Sequence, residues 1–191
     1  LYTLLFFSLS LSYSQTKVTP DEHWSAYAIS VQPQNEETVF NIIDEYFSEN
    51  KLDDIKVMLF SILFADDSMS EATHEIVFVG NSDSMSKFYS PMNFTTEWNL
   101  FSSKISNFIE KTIWALNGTG LASTGPDPSE VVYPYERILN WGPERDIQKF
   151  RKAWLELNTK HERTDRSAVI FTITSSAEHK SGVVLRYPTY K

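Results

Sequence analysis

Two stretches of this chain repeat one order of strand-like and helix-like apolar spacing, and that order restricts the fold more than any short motif does. In the first stretch, residues 24–32 alternate, with Tyr27, Ile29 and Val31 on one side, as in a half-buried strand. Pro33 stops it. Asn35, Glu36 and Glu37 then stand where the N-terminal dipole of a helix favours acids. Val39, Phe40, Ile42, Ile43, Tyr46 and Phe47 follow at helical spacing. Residues 55–64 are apolar on both faces after Lys56 and read as a doubly covered strand. Residues 73–79 predict another strand, ended by Gly80 and Asn81. Ser82 or Asp83 starts a short helical turn over 82–89, broken by Pro91. A longer helix is predicted over 96–116, capped by Thr95 or Thr96 and closed by Asn117-Gly118. Its apolar stripe is Trp98, Phe101, Ile105, Phe108, Ile109 and Ile113.

Residues 119–130 are rich in Gly, Pro, Ser and Thr and read as a linker. The order then restarts. Residues 131–141 are extended, and Gly142-Pro143-Glu144 opens a helix with Ile147, Phe150, Trp154 and Leu157 on one face. Residues 167–174 and 182–187 read as strands. The expected organisation is a first unit over 23–118, the linker over 119–130, and a second, incomplete unit over 131–191. The plain alternative makes the second unit an extension that completes the first sheet.

This strand-helix-strand-strand-helix order resembles the ferredoxin-like plan. The long second helix and the doubly covered second strand are similar to the dimeric α/β-barrel superfamily. In that group two such sheets close into a barrel, from two chains or from a tandem duplication. The resemblance implies an α+β fold of ferredoxin-like β-α-β-β-α units, closing as an α/β-barrel, and a homodimer where one chain supplies one sheet. Its members include small monooxygenases, haem-handling enzymes, stress-induced proteins and sensor domains. No signature of any one of these is matched, so no catalytic residue is carried over.

Residues 1–14 are apolar or hydroxylic and uncharged, and end in Ser12-Tyr13-Ser14 before Gln15. They read as the apolar core and cleavage site of a secretory signal peptide, which implies export to a periplasmic or extracellular space. The run is shorter than the roughly 20 residues of a membrane span. The chain has no cysteine, so disulfides, thiol catalysis and thiolate metal sites are excluded. A hydrophobic fraction of 41% and an aromatic fraction of 14% supply the core that must stabilise it instead. The net charge of −8 argues against nucleic-acid partners, which need a basic footprint.

The pattern specifies no cofactor and no metal. Four histidines, His23, His74, His161 and His179, are scattered. His74 opens an apolar strand with Ile76 and Phe78 on its own face. On a barrel plan it could face a cavity as a proton donor, base or haem ligand. The plain reading is a hydrogen-bonded strand-end histidine. His23, Trp24 and Tyr27 open the first strand and could line the same cavity, since flat ligands stack on aromatic side chains; otherwise they are core and rim packing. Asp66-Asp67 with Glu71 could offer oxygens to calcium, but fits no EF-hand and reads as a solvated loop. The expected function is a ligand-binding or interaction module for a small apolar or aromatic ligand. The alternative is a small monooxygenase-like or haem-handling barrel enzyme using His74.

Overall fold

A computed structural model describes residues 21–52, 54–63, 71–91, 95–125, 135–141, 147–161, 166–175 and 181–187. The signal-peptide reading of 1–14, the Asp66-Asp67 loop, residues 126–134 and His179 lie outside the described residues. The strands are β1 (His23–Val31), β2 (Ile55–Ser61), β3 (His74–Gly80), β4 (Ile109–Thr124), β5 (Tyr135–Trp141), β6 (Ser167–Ile173) and β7 (Ser181–Tyr187). The helices are α1 (Glu36–Glu49), α2 (Ser82–Phe88), α3 (Thr96–Ser106) and α4 (Ile147–Lys160). The fold is therefore α+β, as the alternation predicts.

All strands join one seven-stranded sheet in the order β2-β3-β1-β4-β6-β7-β5, and every neighbouring pair is antiparallel. The segment β2-β3-β1-β4 is the split βαβ arrangement of a ferredoxin-like unit. The second half repeats its first three positions as β6-β7-β5. The two halves meet edge to edge where β4 pairs with β6. The barrel closure expected from the resemblance is not present among the described residues, where β2 and β5 are edges of an open sheet.

Local chemistry explains where the helices begin. Glu36 and Glu37 occupy the first turn of α1, where the helix dipole favours them. At α2 the cap is Asn81, one residue before the expected start, and its Oδ1 accepts from Ser84 N at 2.8 Å. Thr95 caps α3 as expected, its Oγ1 accepting from Trp98 N at 3.2 Å.

Two further expectations fail, the long helix and the linker. The helix predicted over 96–116 ends at Ser106, and Ile109–Thr124 is strand. Ile105, Phe108, Ile109 and Ile113 fit a helical stripe, but Thr112-Ile113-Trp114 is β-branched and aromatic, and pairing with β1 decides the outcome. Two bulges, at Ala28/Ile29 and Ser30/Val31, absorb the register difference. Residues 119–124, expected in the linker, are the second half of β4 and pair with β6.

The helices all pack on one side of the sheet. Ile29, Val31, Val39, Ile42, Ile76, Phe78 and Ile105 form the core under α1 and α3, with Met85 of α2. Around them Phe47, Phe78, Phe88, Trp98 and Phe101 make an edge-to-face and tilted ring cluster. A second core of Ala122, Ala168, Ile170 and Val183 lies under Phe150, Trp154 and Leu155 of α4.

Gly118 ties the two halves together. A methyl group there would sit 1.7 Å from Thr172 O and 2.7 Å from the Trp24 ring. Gly118→Ala is expected to destabilise the protein by about 1–3 kcal/mol, because the obstructing atom is backbone of the neighbouring strand. Urea unfolding measures this, and an unchanged midpoint would contradict the β4-β6 register.

Candidate functional site

Strand register divides the expected site residues between opposite faces. His23, Ser25, Tyr27 and Ile29 stand opposite Gly80, Phe78, Ile76 and His74, so these positions share the helix-covered face. Trp24, Ala26 and Ala28 point to the other face, which no described helix covers. Of the four candidates, Trp24 alone lies on the helix-free side. His23 and His74 also stand at opposite ends of the β1-β3 ladder.

His74 is 7% exposed, and its Nδ1 lies 2.9 Å from Thr73 Oγ1. That hydroxyl accepts from Val31 N at 2.9 Å, and Thr73 N donates to Ile29 O at 2.9 Å. The imidazole therefore finishes a hydrogen-bonded corner between β1 and β3. His23 lies 3.7 Å from Asp21 at the other end. Tyr27 OH and Tyr89 OH are 2.9 Å apart, and burial is the main cause that raises the Tyr89 phenol above its ordinary range. Tyr27 also meets Phe78 edge to face.

The helix-free face has its own composition. Across the sheet, one row runs Phe60, Glu75, Ala28, Trp114. The next runs Met58, Val77, Ala26, Leu116, and the third Lys56, Val79, Trp24, Gly118, Ile173. Ala26 and Ala28 form a floor of small, buried side chains. Larger half-buried side chains, Met58, Phe60, Trp114 and Leu116, flank it. Trp24 lies over Gly118 and meets Phe171 edge to face, ring centroids 5.2 Å apart, so β1 touches β6 across β4.

Polar groups mark both ends of this floor. Glu75 is 4% exposed on an otherwise apolar stretch of the face. At the other end the Trp24 Nε1 donor is buried and has no acceptor among the described residues. The helix-free face, the one that would be the inner face of a closed barrel, thus carries an acid and an N–H donor beside an apolar floor, the composition of a small-molecule site. Glu75 and Trp114 were not among the sequence-based site candidates. A single acid inside the apolar run His74–Gly80 is the signal that points to the first. Trp114 was hidden by its assignment to a helix.

No group of three or more potential metal ligands is found among the described residues. Glu71, which ends the acidic stretch read as a solvated loop, pairs with Lys111. A haem, which the alternative of a haem-handling barrel would need, finds no histidine placed on the helix-free face by register among the described residues: His74 and His23 have the helix-side register, and His161 follows α4. The described residues do not fit an imidazole-ligated haem there.

No family model matches the sequence, and no curated protein matches it. Solved structures do. A proposed monooxygenase from Fusobacterium nucleatum subsp. nucleatum superposes with a TM-score of 0.60 at 11% identity, over 88% of this chain and 76% of that one. A proposed monooxygenase from Lactobacillus acidophilus NCFM gives 0.56 at 10%, over 88% and 78%. Chlorite dismutase from Candidatus Nitrospira defluvii, in complex with imidazole, gives 0.54 at 10%, over 90% and 79%. These are dimeric α/β-barrel folds, and at such identities the likeness is one of fold.

Burial lowers the His74 pKa, with Glu36 acting against it more weakly. Its folded-state value thus lies below the ordinary imidazole value of about 6.5. As pH falls through about 6.5 the unfolded chain takes up a proton that the folded chain refuses, so stability declines until the folded value is passed. Urea midpoints at about pH 7.5 and about pH 5 should fall further for the wild type than for His74→Gln. Equal falls would contradict a neutral, structural His74.

Proposed function

We propose that this protein is an exported ligand-binding module whose site is the helix-free face of the sheet. The ligand class is a small apolar or aromatic molecule with polar end groups. The observation that carries the reading is the Ala26/Ala28 floor, bounded by buried Glu75 at one end and the buried Trp24 Nε1 donor at the other. On this reading the apolar body of the ligand packs on the half-buried Met58, Phe60, Trp114 and Leu116 that flank the buried Ala26 and Ala28. A carboxyl group has acceptor capacity for more than one partner, and the indole N–H gains a hydrogen bond that it otherwise lacks. Export rests on the apolar, uncharged residues 1–14 with their small-x-small end.

A second reading, a small monooxygenase-like enzyme, is supported by the fold likeness to the two proposed monooxygenases. In that reading Glu75 is the acid-base group of the inner face, because His74 has the helix-side register. The binding reading stands first, since the fold supports many chemistries and the helix-free face carries an apolar stretch with a buried polar group at each end.

N-phenyl-1-naphthylamine, a neutral aromatic amine with an N–H donor, tests the site. Its fluorescence should rise on binding and saturate at one probe per chain. Trp114→Ala should weaken binding about tenfold or more by removing a wall of the floor, while circular dichroism stays unchanged. Glu75→Gln should alter affinity without abolishing it. Binding unchanged in Trp114→Ala would place the site elsewhere, and no saturable binding would remove the module reading.

A further inference from the structure

Midway across the sheet, on the side that carries the helices, lies a strip that neither apolar core fills. On β1 and β3 the first core reaches Tyr27 and Phe78; on β6 and β7 the second reaches Ile170 and Val183. Between them register places His23, Thr119, Thr172 and Ser181 in one row, from β1 through β4 and β6 to β7. Thr119 Oγ1 and Thr172 Oγ1 lie 2.8 Å apart, as side chains on one face must. In the next row Ser25 stands opposite Asn117, and Thr174 Oγ1 donates to Asn117 Oδ1 at 2.5 Å. Ser25 also reaches the hydroxyl of Tyr89, which borders the strip and is 40% exposed.

Asn117 and Thr174 are exposed, and Thr119 and Thr172 are half-buried, so the strip is open to solvent. No Asp, Glu, Lys or Arg occupies either row. Ser181 is 0% exposed, and its hydroxyl has no hydrogen-bond partner among the described residues. It alternates with Val183 of the second core and stands opposite Thr172, which aims it at the strip. A buried hydroxyl without a partner is uncommon and marks a place where a ligand group gains a hydrogen bond.

We propose that this seam between the two halves is a second binding site, on the opposite side of the sheet from the helix-free face, for a neutral polyhydroxylated ligand of the saccharide class. Each hydroxyl carries one donor and two acceptor sites, so side chains already paired keep capacity for a ligand that is itself both donor and acceptor. Strands lie about 4.8 Å apart, so the row from His23 to Ser181 spans about 14 Å, the length of a short oligosaccharide. The exposed part of the Tyr89 ring gives one sugar ring an apolar face to rest on. The absence of cations from the rows and the net charge of −8 disfavour an anionic ligand.

Titration of the isotope-labelled full chain with maltotriose, and separately with chitotriose, tests this by amide NMR shifts. At least one of these sugars should give saturable shifts centred on Asn117, Thr119, Thr172 and Ser181. Thr119→Val and Thr172→Val, which keep side-chain shape, should each weaken that binding about five- to tenfold by removing a hydroxyl. Both variants should bind N-phenyl-1-naphthylamine as the wild type does, so that this site and the helix-free face stand or fall separately. No saturable shift with either sugar would overturn the proposal. So would shifts confined to the helix-free face, an affinity unchanged in both valine variants, or binding of glucose 6-phosphate without binding of the neutral sugars. Circular dichroism on each variant separates loss of the site from loss of the fold.

Discussion

The β4 strand, with Gly118 in its middle, is the constraint on which the rest of the structure depends. Its first half pairs with β1 and its second half with β6. At the changeover Trp24 lies over Gly118 and reaches Phe171, and the Thr172 carbonyl approaches too closely for any side chain there. Without this close approach the two halves would have separate sheets and no shared inner face. With it, rows of side chains run from β2 to β6 without interruption. The helices on the opposite side then follow from parity, because residues that face α1 and α3 in one half share a side with those that face α4 in the other.

Much of the fold is legible in the sequence because local signals agree there. β1, α1, β3 and the Thr95 cap each combine periodicity with a matching start or stop. Legibility fails where one pattern serves two structures. Phe108, Ile109 and Ile113 continue the stripe of α3, yet they belong to the turn and strand that follow it, since nine register positions with β1 outweigh an amphipathic helix. The Gly, Ser and Thr of 119–124 read as a linker, but small residues are what a strand needs where a large ring lies across its neighbour. Asn117-Gly118 has the composition of a helix end, and here the glycine serves a close approach instead.

The candidate site was legible only in part, for a simple reason. A period of two tells which residues share a face, not which face is covered by helices. His74 does share a side with Ile76 and Phe78, as the alternation says, but that side lies under α1. Once the cover is known, interest moves one residue along, to Glu75. A buried carboxyl needs a partner, and Glu75 has an interaction within the fold. The role proposed for Glu75 rests on its place on this face, since the likeness in fold to the solved structures does not supply a site.

The most direct test of this account is a solution NMR measurement of contacts between the Trp24 indole and the Phe171 ring, together with cross-strand contacts between β4 and β6. The account requires both sets, since one continuous sheet with a shared inner face brings these rings to 5.2 Å between centroids. Absence of both, with residues before and after β4 tumbling at different rates, would show two independent units and would remove the inner face as a common site.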